Sequence, residues 1–353
     1  MKTLLVGMEK DFKSESGLGI SRYSYELYKE LKNLEKEEKD FRIDRTNYRK
    51  VPFAGDIVSF MLRTLTEQFG KYEIIHNLSA RPIIRPKSTI KPLLVSTAHD
   101  FSVLMHPEFY IDKNTNKKTK LWYYLVKLGL LYVLKSDYLI ARSYQTMNEL
   151  LELGIGKERI SVANGGLDNR FLSPSNKKKN GTKFIIGYVG SFQKNKNISF
   201  AISTMNYLNT KNIVLNLWGK KDISLLDAVI RSKNKNIYMN GFAAEEKLID
   251  VYDSFDAFIF PSLYEGLGLP IIEAQSRGLP VIIYKYAKIS NEIRKYCFEA
   301  ENPAHAAQIL EGLNNNGYNE VQRKKAMAYA RNFTWRSCAN DTLTAYKKAL
   351  TYA

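Results

Sequence analysis

Glu265 and Glu273, with seven residues between them, bracket a loop that carries glycines at Gly266 and Gly268 and leads into Pro270. The apolar run from Ala257 to Phe260 reads as a strand, and Pro270 to Arg277 reads as a helix with proline in its first turn, where the missing N–H costs nothing. A glycine loop between a strand and a helix makes an anion site. Glycine lets main chain approach a ligand closely, and the amides and dipole of the helix start favour a phosphate or a developing negative charge. Glu265 lies before that site and Glu273 beyond it. The two carboxylates therefore suit two ends of one extended ligand better than a pair sharing a single glycosidic bond.

The elements that must position this loop alternate along the chain. A strand at Thr3 to Gly7 precedes a helix in which Tyr23, Leu27, Leu31 and Leu34 recur at helical spacing. Strands are predicted at 73–76, 92–97 and 137–141, and helices at 55–69, 121–135 and 143–153. The periodicity stops in the Pro-, Ser-, Asn- and Gly-rich stretch 173–182, which includes Lys177, Lys178 and Lys179 and reads as a linker. It restarts with strands at 183–189, 213–218 and 280–284 and helices at 197–208 and 248–255. Strands separated by helices predict an α/β protein of two Rossmann-like, doubly wound domains, with ligand at the carboxyl ends of the strands. The domains are expected at 1–172 and 183–333. The spacing Gly17-x-Gly19-x-x-Arg22 is a poor dinucleotide fingerprint, since about eight residues separate it from the first strand and its third glycine is missing.

The chain has 353 residues, 44% hydrophobic and 25% charged, which suits two globular domains and excludes a disordered tail protein. Cys297 and Cys338 are its two cysteines, so no disulfide framework is implied and a reducing cytoplasm is expected. The apolar run at Met1 to Met8 is too short for a signal peptide. Leu121 to Leu134 carries Lys127 and falls short of a spanning helix. Because that segment lacks a polar face it is expected in the core, with membrane contact as the alternative. His76, His106 and His305 have no partner at metal-ligand spacing. The 53 Lys and Arg against 36 Asp and Glu leave +17, enough to attract phosphates, anionic lipid or nucleic acid. The excess is spread over both halves, which is unlike a dedicated nucleic-acid arm.

With Pro-Ser, Gly-Leu-Gly-Leu-Pro and Glu-Ala in register around Glu-x7-Glu, the segment from Phe260 to Ala274 resembles the nucleotide-sugar motif of the retaining GT-B glycosyltransferases of family GT4. Other segments resemble that family in order along the chain. They are the glycine loop at Ser16 to Tyr23, the His-Asp segment at Ser96 to Asp100 and the Asn-Gly segment at Asn164 to Asp168. Gly190 with Lys196 and Asn197, and Asn240-Gly241-Phe242 ahead of Tyr252, continue the series.

The resemblance implies that Glu273 accepts hydrogen bonds from the donor ribose, while Glu265 and the amides of Gly266, Leu267, Gly268 and Leu269 hold the transferred sugar and diphosphate. It implies that Lys196, with Lys194, neutralises the leaving diphosphate. Ser191 stands where many relatives carry an arginine, and Lys194 is the candidate substitute. Gly17 and Gly19 would allow close approach of donor diphosphate and acceptor. Gly241 and Phe242 would lie against the base, and His99 would lie beside the transferred sugar, giving a ring hydrogen bond or its main-chain carbonyl. Residues 334–353 would form a helix packing back toward the first domain.

The reading that follows is a retaining hexosyltransferase acting from a nucleoside diphosphate sugar on the hydroxyl of a glycan, a glycolipid or a protein glycan. The sequence contains no Asp-x-Asp, so a metal-independent reaction without cofactor is expected, with lysine and helix amides in place of an ion. An anionic membrane surface is an expected partner. A nucleic-acid-binding protein, a DNA-modifying glycosyltransferase and an inactive sugar-nucleotide sensor are the alternatives.

Overall fold

The computed structural model describes residues 1–13, 19–52, 55–79, 81–84, 91–113, 115–173, 182–220 and 229–352. The chain divides into two compact units, Met1–Gly166 with Trp335–Ala353, and Leu167–Thr334.

The first unit is built on strands β1 (Lys2–Val6), β2 (Arg42–Arg45), β3 (Ile74–Asn77), β4 (Leu93–Ala98), β5 (Tyr138–Ala141) and β6 (Ile160–Val162), ordered β2-β1-β3-β4-β5-β6. Every pairing is parallel. β3 and β5 are buried along their whole length, as strands covered on both faces must be. The covering helices include α1 (Gly19–Glu37), α2 (Asp56–Leu65), α3 (Lys117–Leu134) and α4 (Tyr144–Glu152). Tyr23, Leu27, Leu31 and Leu34 form the buried face of α1.

The second unit repeats the plan with β7 (Phe184–Val189), β8 (Ile213–Trp218), β9 (Ile237–Gly241), β10 (Ala257–Phe260), β11 (Val281–Tyr284) and β12 (Phe298–Ala300), ordered β12-β11-β10-β7-β8-β9 and again parallel. Its helices include α5 (Ile198–Thr204), α6 (Leu248–Asp253), α7 (Leu269–Ser276), α8 (Pro303–Asn316) and α9 (Glu320–Ala330). In each sheet the chain winds outward in both directions, which leaves a switch point between β1 and β3 and another between β7 and β10.

The boundary lies earlier than the sequence reading placed it. Residues 167–172 belong to the second unit because Leu167 N–H donates to Phe333 O at 2.9 Å and the Phe171 ring meets Tyr252 edge-on at 5.5 Å. Most of the expected linker, 174–181, lies outside the described residues. The last helix, α10 (Trp335–Tyr352), buries Trp335, Cys338, Ala339, Thr342, Leu343, Tyr346 and Ala349 within the first unit, alongside α1.

The expectation that Leu121–Leu134 is core holds for one side only. Tyr123, Gly129, Leu130 and Val133 of α3 are buried, whereas Leu121 (61% exposed), Trp122, Tyr124, Leu128, Leu131 and Tyr132 face outward. Only one side of the helix reaches the sheet. No helix among the described residues is long and apolar enough to cross a membrane.

Candidate active site

The loops that follow β7 and β10 meet because those strands are neighbours at the switch point of the second sheet. Their main chains are joined directly. Asn195 O accepts from Leu263 N–H at 2.7 Å and from the Ser262 hydroxyl at 3.0 Å, and the Asn197 side-chain amide donates to Pro261 O at 3.2 Å. Asn197 adopts the left-handed conformation (φ 50°) at the start of α5, a region that asparagine tolerates better than most residues.

This junction brings Lys196 to Glu265, with Nζ 2.6 Å from Oε1 and both side chains mostly buried. The same ammonium lies 5.8 Å from the centre of the Phe260 ring. Glu265 N–H donates to Lys288 O at 3.0 Å, which ties the loop to the segment after β11. Tyr188 stacks on Phe260 and donates its hydroxyl to Ser191 O at 2.7 Å. Burial first, and then the Glu265 charge, raise the Tyr188 pKa well above its ordinary value, so that hydroxyl stays a neutral donor.

The backbone turns into α7 at Gly268, whose φ of +81° favours glycine, and Pro270 occupies the first turn. The Leu267 side chain enters the core, so only its main chain is left to face a ligand. Glu273 is held inside the protein at 6% exposure, with α9 packed against α7, and its Oε2 accepts the Tyr252 hydroxyl at 2.8 Å. A buried carboxylate needs such donors.

Three glycines close the ends of β7, β8 and β9. Gly190 N–H donates to Trp218 O and Gly219 N–H to Gly241 O, and a Cβ on Gly219 would collide with the Gly190 carbonyl. Gly219 was not among the residues read from the sequence; its signal is a glycine directly after an apolar strand. Gly241 has φ +78°, and Phe242 beside it is 71% exposed, an apolar ring without cover. Ser191 and Lys194 are exposed on the loop after β7.

In the first unit, His99 follows β4. Its Nε2 lies 2.8 Å from Leu78 O, its Nδ1 3.2 Å from Arg142 Nη1, and its ring meets Tyr23 edge-on at 5.1 Å. Burial chiefly, and the Arg142 charge next, lower its pKa to about 3, so the ring is neutral. Both ring nitrogens are thus engaged within this unit, and the ring hydrogen bond expected toward a sugar has no free nitrogen to make it. Gly19 opens α1 with nothing near where a Cβ would stand, and Gly17 lies outside the described residues. Among the described residues no three His, Cys, Asp or Glu side chains gather as a metal-holding group.

Two doubly wound parallel sheets, with a glycine loop running into a helix at a switch point of one of them, define the GT-B glycosyltransferase fold. The structure superposes on sucrose-phosphate synthase from Thermosynechococcus elongatus with a TM-score of 0.73 at 16% identity, covering 100% of both chains. It superposes on the Anabaena protein HepE in complex with UDP and glucose with a TM-score of 0.66 at 16% identity, covering 98% of this chain and 99% of that one. Residues 169–333 match the family described as glycosyl transferases group 1, and this region is a group 1 glycosyltransferase domain. The O-antigen chain mannosyltransferase B of Escherichia coli is 29% identical over 170 residues. That match spans 45% of each chain, less than half the length of the relative.

Proposed function

We propose that the protein is a retaining glycosyltransferase that moves a hexose from a nucleoside diphosphate sugar to an acceptor hydroxyl in the assembly of a glycan or glycolipid. The observation that carries this reading is the Lys196–Glu265 pair at the mouth of the α7 helix, with the buried Glu273 one to two turns further on. Glu273 binds the ribose hydroxyls, Glu265 the hydroxyls of the transferred sugar, and Lys196 with the α7 amides the diphosphate. Gly241 and Phe242 face the base, Lys194 adds charge beside Ser191, and Gly19 and the His99 main chain border the sugar and acceptor. The name of the O-antigen chain mannosyltransferase relative supports transfer of a hexose in glycan assembly.

The chemistry is front-face displacement through an oxocarbenium-like state. The bond from the anomeric carbon to the diphosphate oxygen breaks with its electron pair going to that oxygen. The acceptor oxygen forms its bond on the same face, and its proton passes to the leaving phosphate. Protein groups position the partners and stabilise the growing charge. No metal ion or cofactor is part of this proposal, because Lys196 and the helix start supply positive field where the charge develops.

The protein is proposed to work in the cytoplasm and to visit an anionic membrane surface. What supports this is the outward face of α3, where Leu121, Tyr124, Leu128 and Leu131 are exposed between Lys117 and Lys135.

The test is a panel of nucleotide sugars. One donor should raise the melting temperature and be hydrolysed slowly, and the product freed with an acceptor should keep the anomeric configuration by NMR. Stabilisation by no nucleotide sugar, or an inverted product, rejects the reading.

A further inference from the structure

Arg142 follows directly after β5 and is 6% exposed, yet no carboxylate pairs with it among the described residues. Its guanidinium lies over the Tyr23 ring, 4.2 Å from the centroid, and its Nε is buried without a hydrogen-bond partner. Cys338 of α10 is near it, and the Arg142 main-chain N–H donates to Ala98 O at 3.1 Å. Among the described residues its side chain makes one hydrogen bond, from Nη1 to His99 Nδ1 at 3.2 Å. A guanidinium only donates, so Nδ1 must accept. The proton of the neutral ring then sits on Nε2 and is given to Leu78 O.

A buried guanidinium with no anion beside it is costly, and a hydrophobic side chain of similar volume would pack there at least as well. Residues that break a local rule without a compensating gain in stability mark functional sites.

We propose that Arg142 is the positioning residue for His99. It locks the imidazole as the Nε2–H tautomer and fixes the turn after β4, so that His99 offers its main-chain carbonyl, not its ring, to the transferred sugar. The Thr146 hydroxyl approaches that carbonyl only at 3.5 Å, and the oxygen keeps a second lone pair. This inference rests on the glycosyltransferase reading and adds to it a residue outside the family motif.

The experiment uses the full chain labelled with nitrogen-15, as parent, Arg142→Met and Arg142→Gln, with His99→Asn to assign the ring signals. In the parent, His99 Nδ1 should be unprotonated and shifted upfield of a free ring nitrogen by the hydrogen bond it accepts. R142M should move that resonance downfield and leave the melting temperature equal or higher. It should also lower kcat for hydrolysis of UDP-glucose or GDP-mannose at least tenfold, with KM within twofold. R142Q, which keeps a donor without the charge, should recover the Nδ1 signal and part of kcat, and it decides the matter if R142M does not fold. An unmoved Nδ1 resonance overturns the proposal, and so does a moved resonance with unchanged kcat. If the parent turns over neither of these, kcat is read with whichever donor of the nucleotide-sugar panel it hydrolyses; a parent that none of the panel stabilises brings down the glycosyltransferase reading, while the Nδ1 signal still reports whether the contact exists.

Discussion

Lys196 and Glu265 stand 69 positions apart in the chain and 2.6 Å apart in the fold, so the cation proposed to meet the diphosphate is already paired within the protein. On the proposed reading a diphosphate would draw Lys196 away while Glu265 turns to the sugar. Lys196→Ala should therefore lower kcat by about two orders of magnitude and change donor KM little, because charge on the leaving group grows during cleavage. Glu265→Gln should bind UDP alone several-fold more tightly, since Lys196 is released, and yet turn over more slowly. Steady-state kinetics with calorimetric UDP titrations checks both, and weaker UDP binding by E265Q would contradict the placeholder role.

Glu273 is expected to act in the ground state. Hydrogen bonds to a charged group are worth about 1.5–3 kcal/mol, so Glu273→Ala should raise donor KM by roughly one to two orders of magnitude, with a smaller fall in kcat. The Tyr252 hydroxyl loses its carboxylate acceptor in that variant, so its melting temperature should drop as well. An unchanged donor KM would remove Glu273 from the site.

Activity should survive EDTA, because the proposed charge stabilisation comes from Lys196 and the start of α7. Turnover measured before and after chelation, and again with added Mg²⁺ or Mn²⁺, is the check. Complete loss restored by either ion would assign the diphosphate to a metal.

Stability should fall on acidification below neutral pH. His76 is fully buried between the Tyr346 hydroxyl at 2.7 Å and Thr97 Oγ1 at 2.8 Å, and burial, with a smaller contribution from His99, lowers its pKa to about 3. Its unfolded value is about 6.5, so between pH 6.5 and 3 the unfolded chain binds the extra proton and gains at the expense of the fold. From pH 7 to 5 this costs about 2 kcal/mol for His76 alone. His99 acts in the same direction, as do Glu35 and Asp56, whose carboxyls are lowered in the fold and lose that stabilisation as pH drops through their folded values. Denaturant midpoints at pH 7, 6 and 5 measure the slope, and His76→Gln should flatten it.

Vesicle flotation tests the outward face of α3. Polybasic attraction is worth about 1 kcal/mol per lysine near an anionic surface, so recovery with anionic vesicles should be weak and lost in high salt. Leu128→Glu should abolish it and leave melting unchanged, since Leu128 is exposed. Equal recovery with neutral and anionic vesicles would contradict the electrostatic part.

The sequence by itself determined what is local. The strand into Phe260, the turn at Gly268, the helix opened by Pro270 and the eight-position step from Glu265 to Glu273 are set by residue type and spacing over fifteen positions, and all are present. The alternation of apolar runs likewise determined two parallel α/β sheets, although β2, β6 and β12, of three or four residues, and β9, which runs into Asn240 and Gly241, are too short or too polar at one end to stand out alone. What only tertiary structure decided depends on which strands become neighbours. Lys196 meets Glu265 because β7 and β10 flank a switch point, and the buried Glu273 finds its donor in Tyr252, which lies on a different helix 21 positions back. Arg142 faces His99 because β5 pairs with β4 in register, Ala98 against Ala141, which places the next residue of each strand side by side. The outward face of α3 was hidden for the same reason: apolar periodicity reports what a helix could bury, and only the sheet's single contact with it decides which side is covered.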